Sequence, residues 1–591
     1  MSAPSFFAEL KRRNVLRAGA FYAASAWLIV QVATQVFPFF HIPEWIVRWI
    51  IVAAVIGLPF ALAFAWFYEW TPQGLMRESD ITPGDAIERR TGQRLDRWII
   101  AVLALAVVLL LTDRFVVHRN ADAGVASAKS IAVLPLVNES GDAEQAYFSD
   151  GLSEELIAAL GQVRDLKVIG RNSSFRFRGS EQDDNAAIGV KLGVATLLEG
   201  TVRKLGSHVR IFASLIKADD GSQLWSQTYD RELKDVFAVQ SEIATAVAGA
   251  LKATLFGNVI ATGGKPPSGN LDAYNALLQG RFYAERRNRE DYVKAVDFYR
   301  RAIELDPDYA LAYARWAMLD QWYIDWAVAN LDERETARVR ARANARKAIE
   351  LDPHLPEAYG ALGVTQAWSD LDVRAAEATL KQAVALDPSN PETLYQLADV
   401  TGCLGRLDEA VAMMRKVLAV EPLNAAYHFY IGQYLLALGR LDEAETELKR
   451  AIDLQPTAVG YNVYLTMLYI KRGDADKAMA TAQVNQEDGV NRRIALALAY
   501  AMRGDTARAD TTIAEMIRRD ADTWPVIIAE YYAYRGDKDQ AFAWLERARN
   551  AHDPSVTSIW EDPIILPALR GDPRFAALCE EIGLPAPSAA L

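Results

Sequence analysis

Three acidic residues, Asp150, Glu154 and Glu155, fall within six positions of one another. Paired carboxylates at short spacing are what general acid–base work on a bond would use. They follow Tyr147-Phe148-Ser149 where apolar residues begin to recur at helical spacing. At a helix start carboxylates also favour the positive end of the macrodipole, and that structural use is the expected one. Cys403 and Cys579 are the two cysteines, far apart and in no CxxC or Cys/His pattern, so neither a zinc site nor a disulfide framework is expected and both read as small buried residues. The six histidines are scattered, and no GxSxG, HExxH or Walker sequence stands in a fitting context. Gly263-Gly264-Lys265-Pro266-Pro267-Ser268-Gly269 lacks the spacing of a phosphate loop and reads as a linker. No catalytic residues, cofactor or metal are therefore expected, and the chain does not read as an enzyme. Sixty-four basic against 76 acidic side chains give a net charge of -12, which repels a phosphate backbone, so no direct nucleic-acid partner is expected.

Arg-Gly-Asp occurs four times, at Arg472-Gly473-Asp474, Arg503-Gly504-Asp505, Arg535-Gly536-Asp537 and Arg570-Gly571-Asp572. An adhesion motif is one use of such a tripeptide. The turn of a helical hairpin is the other, with glycine left-handed after the first helix, aspartate capping the second and arginine near the first helix's negative end. The second use is expected.

The elements that would position such residues change character along the chain. At 591 residues it is too long for one core, and about three or four units are expected. Apolar residues concentrate in positions 1–118, where segments 16–37, 45–68 and 98–115 approach the length of about 20 residues that a membrane helix needs. Lys11, Arg12, Arg13 and Arg17 before the first segment, and Arg77, Arg89, Arg90, Arg94 and Arg97 between the second and third, would both stay cytoplasmic. The expectation is a bacterial inner-membrane anchor of three transmembrane helices in contact with the bilayer, with everything after about residue 118 periplasmic.

A small polar linker, 119–129, leads to 130–257, which reads as strand, helix, strand, helix, three strands and a closing helix, a small α+β domain. Ser130-Ile131-Ala132-Val133-Leu134-Pro135, Tyr147-Phe148-Ser149-Asp150-Gly151-Leu152, Leu198-Glu199-Gly200-Thr201-Val202-Arg203 and Leu224-Trp225-Ser226-Gln227-Thr228-Tyr229-Asp230-Arg231 occur in that order. This stretch resembles the TolB amino-terminal-like (FlgO-like) domain of CadC-type regulators and of tetratricopeptide-repeat (TPR) proteins named as adenylate cyclases. The resemblance implies a periplasmic sensory or interaction module without catalytic chemistry.

After a second linker, 258–270, the pattern is helical to the end. Ala295, Ala341, Ala376, Ala410, Ala444 and Ala478 recur, the last four every 34 residues, and Pro307, Pro353, Pro388, Pro422 and Pro456 each stop a helix 12 residues after one of the first five. The period and the packing of Ile431-Gly432, Leu435, Ala444, Leu448 and Ala451 resemble the TPR family, assigned to 271–560 as an all-α superhelical solenoid. An insertion is expected around Trp322 to Glu335, and 561–591 is expected to cap the array.

Stacked repeats present a groove lined by their first helices, the usual place for a peptide or partner helix. Groove positions are expected at Tyr395, Asp399, Phe429, Gln433 and Met467, with inter-repeat packing as the other use of the same side chains. The function these observations point to is a membrane-anchored periplasmic scaffold or sensor that binds protein or peptide through the repeats. The alternative is a signal-transducing component of a CadC-like system acting on a separate cytoplasmic effector.

Overall fold

The computed structural model describes residues 129–586 apart from 164, 180–183, 252–264, 327–330, 459 and 485–488, and before them only 22, 26–27, 29–30, 53–54, 57–59, 68–71 and 74–77. The chain divides into two compact units, 1–125 and 126–591. In the first, β1 (Tyr68–Thr71) and β2 (Gly74–Arg77) pair antiparallel with Tyr68 opposite Arg77.

The transmembrane part of the expected architecture is corrected. No helix among the described residues is long and apolar enough to cross a membrane. A span needs about 20 consecutive residues that are helical and apolar together. The 21-residue helix Leu331–Leu351 has the length but carries a charge in nearly every turn, and the 17-residue Ala310–Trp326 is too short. The segments 16–37, 45–68 and 98–115 lie for the most part outside the described residues, as do both expected linkers in large part. The inner-membrane location, the cytoplasmic–periplasmic orientation and the bilayer contact rested on those three helices and fall with them. What stands is a mostly helical TPR-like solenoid with a small sheet region.

The sheet is built around β3 (Ser130–Val133), whose four residues are all buried. Covered on both faces, it reads as an unbroken apolar run rather than an alternating one. β3 pairs in parallel with β5 (Lys167–Ile169) and β6 (Thr196–Leu205), and the short β4 (Val137–Asn138) also runs parallel to β6. β7 (His208–Lys217) and β8 (Gln223–Glu232) then add antiparallel, giving the order β5-β3-β6-β7-β8. β7 alternates exposed and buried residues over its first half, as a half-covered strand does. β8 forms the edge and keeps Asp230, Arg231 and Glu232 in solvent, which discourages a further strand from pairing there. Helices α1 (Ala146–Gly161) and α4 (Val236–Ala250) cover one face through Phe148, Leu152, Leu156, Val239 and Ile243. The short α2 (Arg171–Ser174) and α3 (Asn185–Leu192) accompany β5 and β6.

Eight helix pairs follow among the described residues. They are α5 and α6 (Leu271–Ala284, Arg289–Leu305), α7 and α8 (Ala310–Trp326, Leu331–Leu351), α9 and α10 (Pro356–Val364, Val373–Leu386), and α11 and α12 (Pro391–Cys403, Leu407–Val420). They continue with α13 and α14 (Ala425–Ala437, Leu441–Leu454), α15 and α16 (Tyr461–Arg472, Ala475–Val484), α17 and α18 (Val490–Met502, Thr506–Asp520), and α19 and α20 (Pro525–Arg535, Lys538–Asn550). Each stop proline stands two residues beyond a second helix: α12 ends at Val420 before Pro422 and α14 at Leu454 before Pro456. Proline lacks the N–H that another turn would need. The sequence surplus around Trp322 to Glu335 lengthens both helices of the second pair, to 17 and 21 residues, instead of forming an added element. After α20 come a 3₁₀ turn (Pro554–Ser558), α21 (Ile565–Leu569) and α22 (Pro573–Glu581).

Candidate partner-binding groove

Consecutive first helices touch along the solenoid, α7 on α9, α9 on α11, α15 on α17 and α17 on α19, so they line its inner side. Three of them carry an aromatic seam. Tyr395 on α11 lies with its ring 5.1 Å from that of Tyr427 and 5.4 Å from that of Tyr430, both on α13. Phe429 stacks on Tyr461 at 4.8 Å and meets Tyr464 edge-on at 5.0 Å, both on α15. Aromatic side chains provide wide contact area with few torsions to freeze, which suits them to receiving another chain.

Polar groups stand among the rings. Asp399, one turn after Tyr395, accepts a hydrogen bond from the Tyr434 hydroxyl at 3.1 Å. Burial drives its carboxyl above the usual carboxylate range even though that hydrogen bond pulls the other way. Gln433 is buried, and its Nε2 donates to Glu561 Oε2 at 3.2 Å. Of the five expected groove positions, Tyr395, Asp399 and Phe429 are half-buried on this face. Gln433 is covered by the chain's own C-terminal segment, and Met467 is 2% exposed within the solenoid core.

Sequence reasoning missed Glu530 on α19 and the run Trp560-Glu561-Asp562. Glu530, Glu561 and Asp562 are all buried, and burial raises each carboxyl above its ordinary range. Two acids beside a tryptophan and ahead of Pro563, past the last repeat, were the available signal.

The three acids of α1 have another role than a helix cap. α1 starts at Ala146, because Asp142 caps a 3₁₀ turn, Ala143–Gln145, that runs straight into it. Asp150, Glu154 and Glu155 therefore sit in its second and third turns, all buried. Asp150 pairs with Arg178 at 2.6 Å, and Glu154 is held between Arg171 and Arg281. Arg281 belongs to α5, so the carboxylates fasten the sheet region to the first repeat. On its other side the sheet region meets the turn between α12 and α13. Glu421 accepts from the amides of Asn172 at 3.1 Å and Ser173 at 2.7 Å, at the start of α2. Gly170 N donates to the Val420 carbonyl at 2.8 Å, and Leu423 packs with Ile169 and Phe177.

A stack of helical pairs with a 34-residue period is a TPR-like arrangement. Within it, residues 395–459 match the tetratricopeptide repeat family. A Rhizobium meliloti (strain 1021) protein named "Putative adenylate cyclase 3" is 35% identical over 247 residues, and the match spans 40% of each chain. The chain thus covers well under half of that relative. Among solved structures, YrrB, described as a TPR protein with an unusual peptide-binding site, is 18% identical and overlaps 36% of this chain and 96% of its own, with a TM-score of 0.25. PilF of Pseudomonas aeruginosa is 16% identical and overlaps 35% and 90%, with a TM-score of 0.29.

Proposed function

We propose that this chain is a scaffold that receives a protein or peptide partner on the inner face of its repeats, at the aromatic seam of α11, α13 and α15. The observation that carries this reading is the convergence of Tyr395, Asp399, Tyr430 and Phe429 from successive first helices onto one face. A stack of helices needs apolar residues between its layers. The rings pack between repeats and against the core, and the faces they leave half-covered offer an apolar surface to an extended or helical segment. The resemblance of 130–257 to TolB amino-terminal-like domains belongs to the same reading, as an interaction module docked onto the repeats through Arg281 and Glu421.

The Rhizobium meliloti relative's name speaks of a cyclase. Among the described residues no three His, Cys, Asp or Glu side chains converge to hold a metal ion, and the buried acids of α1 are bound to arginines. We read the inner face as a binding surface.

Selection of a random dodecapeptide display library on the full chain tests the reading. Selected peptides should lose at least tenfold in affinity on Phe429→Ala and Tyr395→Ala, and nothing on Arg450→Ala on the second helix α14. Equal affinity for all three variants would remove the groove as the binding site.

A further inference from the structure

The inner face is already occupied in part by the chain's own end. After α20 the backbone crosses back toward the third and fourth repeats. Ser558 Oγ lies 3.8 Å from Cys403 Sγ at the end of α11, and Arg374 Nε at the start of α10 donates to the Gly583 carbonyl at 2.8 Å. Two glycines of the fourth repeat make room for this crossing. A Cβ on Gly402 would land on Glu561 Oε1, and one on Gly405 would meet the Trp560 ring. Trp560 is 6% exposed and Glu561 2%.

The fit is close in shape and poor in charge. Glu561 and Asp562 enter a wall that already holds Asp399 from α11 and Glu530 from α19, with Glu561 beside Asp399 and Asp562 beside Glu530. The groups facing them are Gln433 and Tyr434 from α13, Tyr464 and Lys471 from α15, and the Cys403 thiol. Lys471 is exposed, and its Nζ donates to the Leu436 carbonyl at 3.1 Å. Glu561 Oε1 and Glu530 Oε2 are buried acceptors without a hydrogen-bond donor. Those two oxygens lack a donor, and Lys and Arg side chains are donors only.

We propose that segment 553–565 is a displaceable occupant of the groove, and that the partner replacing it is a basic peptide whose Lys or Arg side chain reaches Asp399 and Glu530. Its apolar residues then lie along the aromatic seam, where a cation also gains from the ring faces. The inference rests on the groove reading above and adds the partner's chemistry. Tethering gives the segment an effective concentration that a free peptide must overcome. The acid-on-acid contact opposes a seat that the buried Val556, Ile559 and Ile565 hold.

The test uses the full chain and three fluorescent dodecapeptides of one alternating Leu/X frame, with X as Arg, Gln or Glu, read by anisotropy. The Arg peptide should bind at least tenfold more tightly than the Glu peptide, and Asp399→Asn or Glu530→Gln should weaken it at least fivefold. Trp560→Ala, which loosens the segment, should tighten it at least fivefold. Glu561→Arg supplies the cation from the chain itself and should weaken it more than tenfold. Glu561→Gln, near-identical in size and therefore safe for folding, should shift affinity the same way by twofold or more. Equal binding of the three peptides would keep the groove and overturn the basic partner. Unchanged affinity in both Glu561 variants would overturn the displacement, and absence of binding even in Trp560→Ala would overturn the groove reading together with this one.

Discussion

Glu155 lies on α1 with 5% exposure, its Oε1 3.6 Å from Arg281 Nη1. Burial, and next the Glu357 carboxylate, push its pKa from 4.5 up to about 7, with Arg315 opposing. Between those two values the folded chain holds a proton that the unfolded chain has released. Stability from this group is therefore fully present below pH 4.5 and is lost as pH rises through about 7. In urea titrations the wild type should lose up to about 3 kcal/mol more than Glu155→Gln across that window; parallel curves would show that the proton is not retained. The two cysteines behave as their isolation in the sequence suggests. Both are free and buried, and burial raises both thiols, that of Cys579 to about 11, so neither is poised as a nucleophile near neutral pH.

At the scale of elements, the repeat turns show what Arg-Gly-Asp is for. Gly473, Gly504 and Gly536 have φ of 77°, 74° and 76°, a left-handed turn that ends the first helix. Asp474, Asp505 and Asp537 accept from the amides of Lys477, Arg508 and Gln540 at 3.0, 3.1 and 3.1 Å, capping the second. The arginine does something the sequence did not suggest: it reaches back to the second helix of the preceding repeat, Arg472 to Asp442 at 2.5 Å and Arg503 to Asp476 at 2.5 Å. The fourth copy departs from the pattern, since Gly571 is not left-handed, although Asp572 still caps α22. Asp505→Ala should destabilise by about 1 kcal/mol, Gly504→Ala by about 1–2 kcal/mol, and Arg503→Ala by under about 0.5 kcal/mol because its partner is solvent-exposed. Chemical denaturation ranks the three, and a dominant Arg503 effect would contradict the capping account. Glu421→Ala strips two donors at the start of α2 of their acceptor and should cost about 2 kcal/mol. Amide exchange read at Asn172 and Ser173 should rise first; unchanged protection there would mean that the sheet region is held elsewhere.

For the whole second unit, the solenoid and the sheet region form one body whose inner side is partly covered by the C-terminal segment. Trp560 packs under Gly405 and against Phe575, with Nε1 donating to the Pro585 carbonyl at 3.1 Å. Trp560→Ala should destabilise the C-terminal repeats by about 3 kcal/mol. It should also speed proteolysis after residue 550 with the sheet region left intact, and uniform unfolding would show instead that the segment is part of one cooperative core. Local chemistry was legible in the sequence: the 34-residue period, the stop prolines, the turn glycines with their capping aspartates, and the run of strands from 196 to 232. These are set by neighbours a few positions apart, where proline's missing N–H, glycine's missing Cβ and a carboxylate's reach act alone. The expected membrane helices show the limit of composition, since apolar length suggested spans that no described helix provides. Tertiary structure alone decided that Glu154 meets Arg281, that Glu421 caps α2, and that Glu561 enters the groove beside Asp399, pairs separated by 127, 249 and more than 150 positions. Such contacts follow from how far each repeat turns on the last, a small rotation summed over eight helix pairs, and no local pattern of residues records that sum.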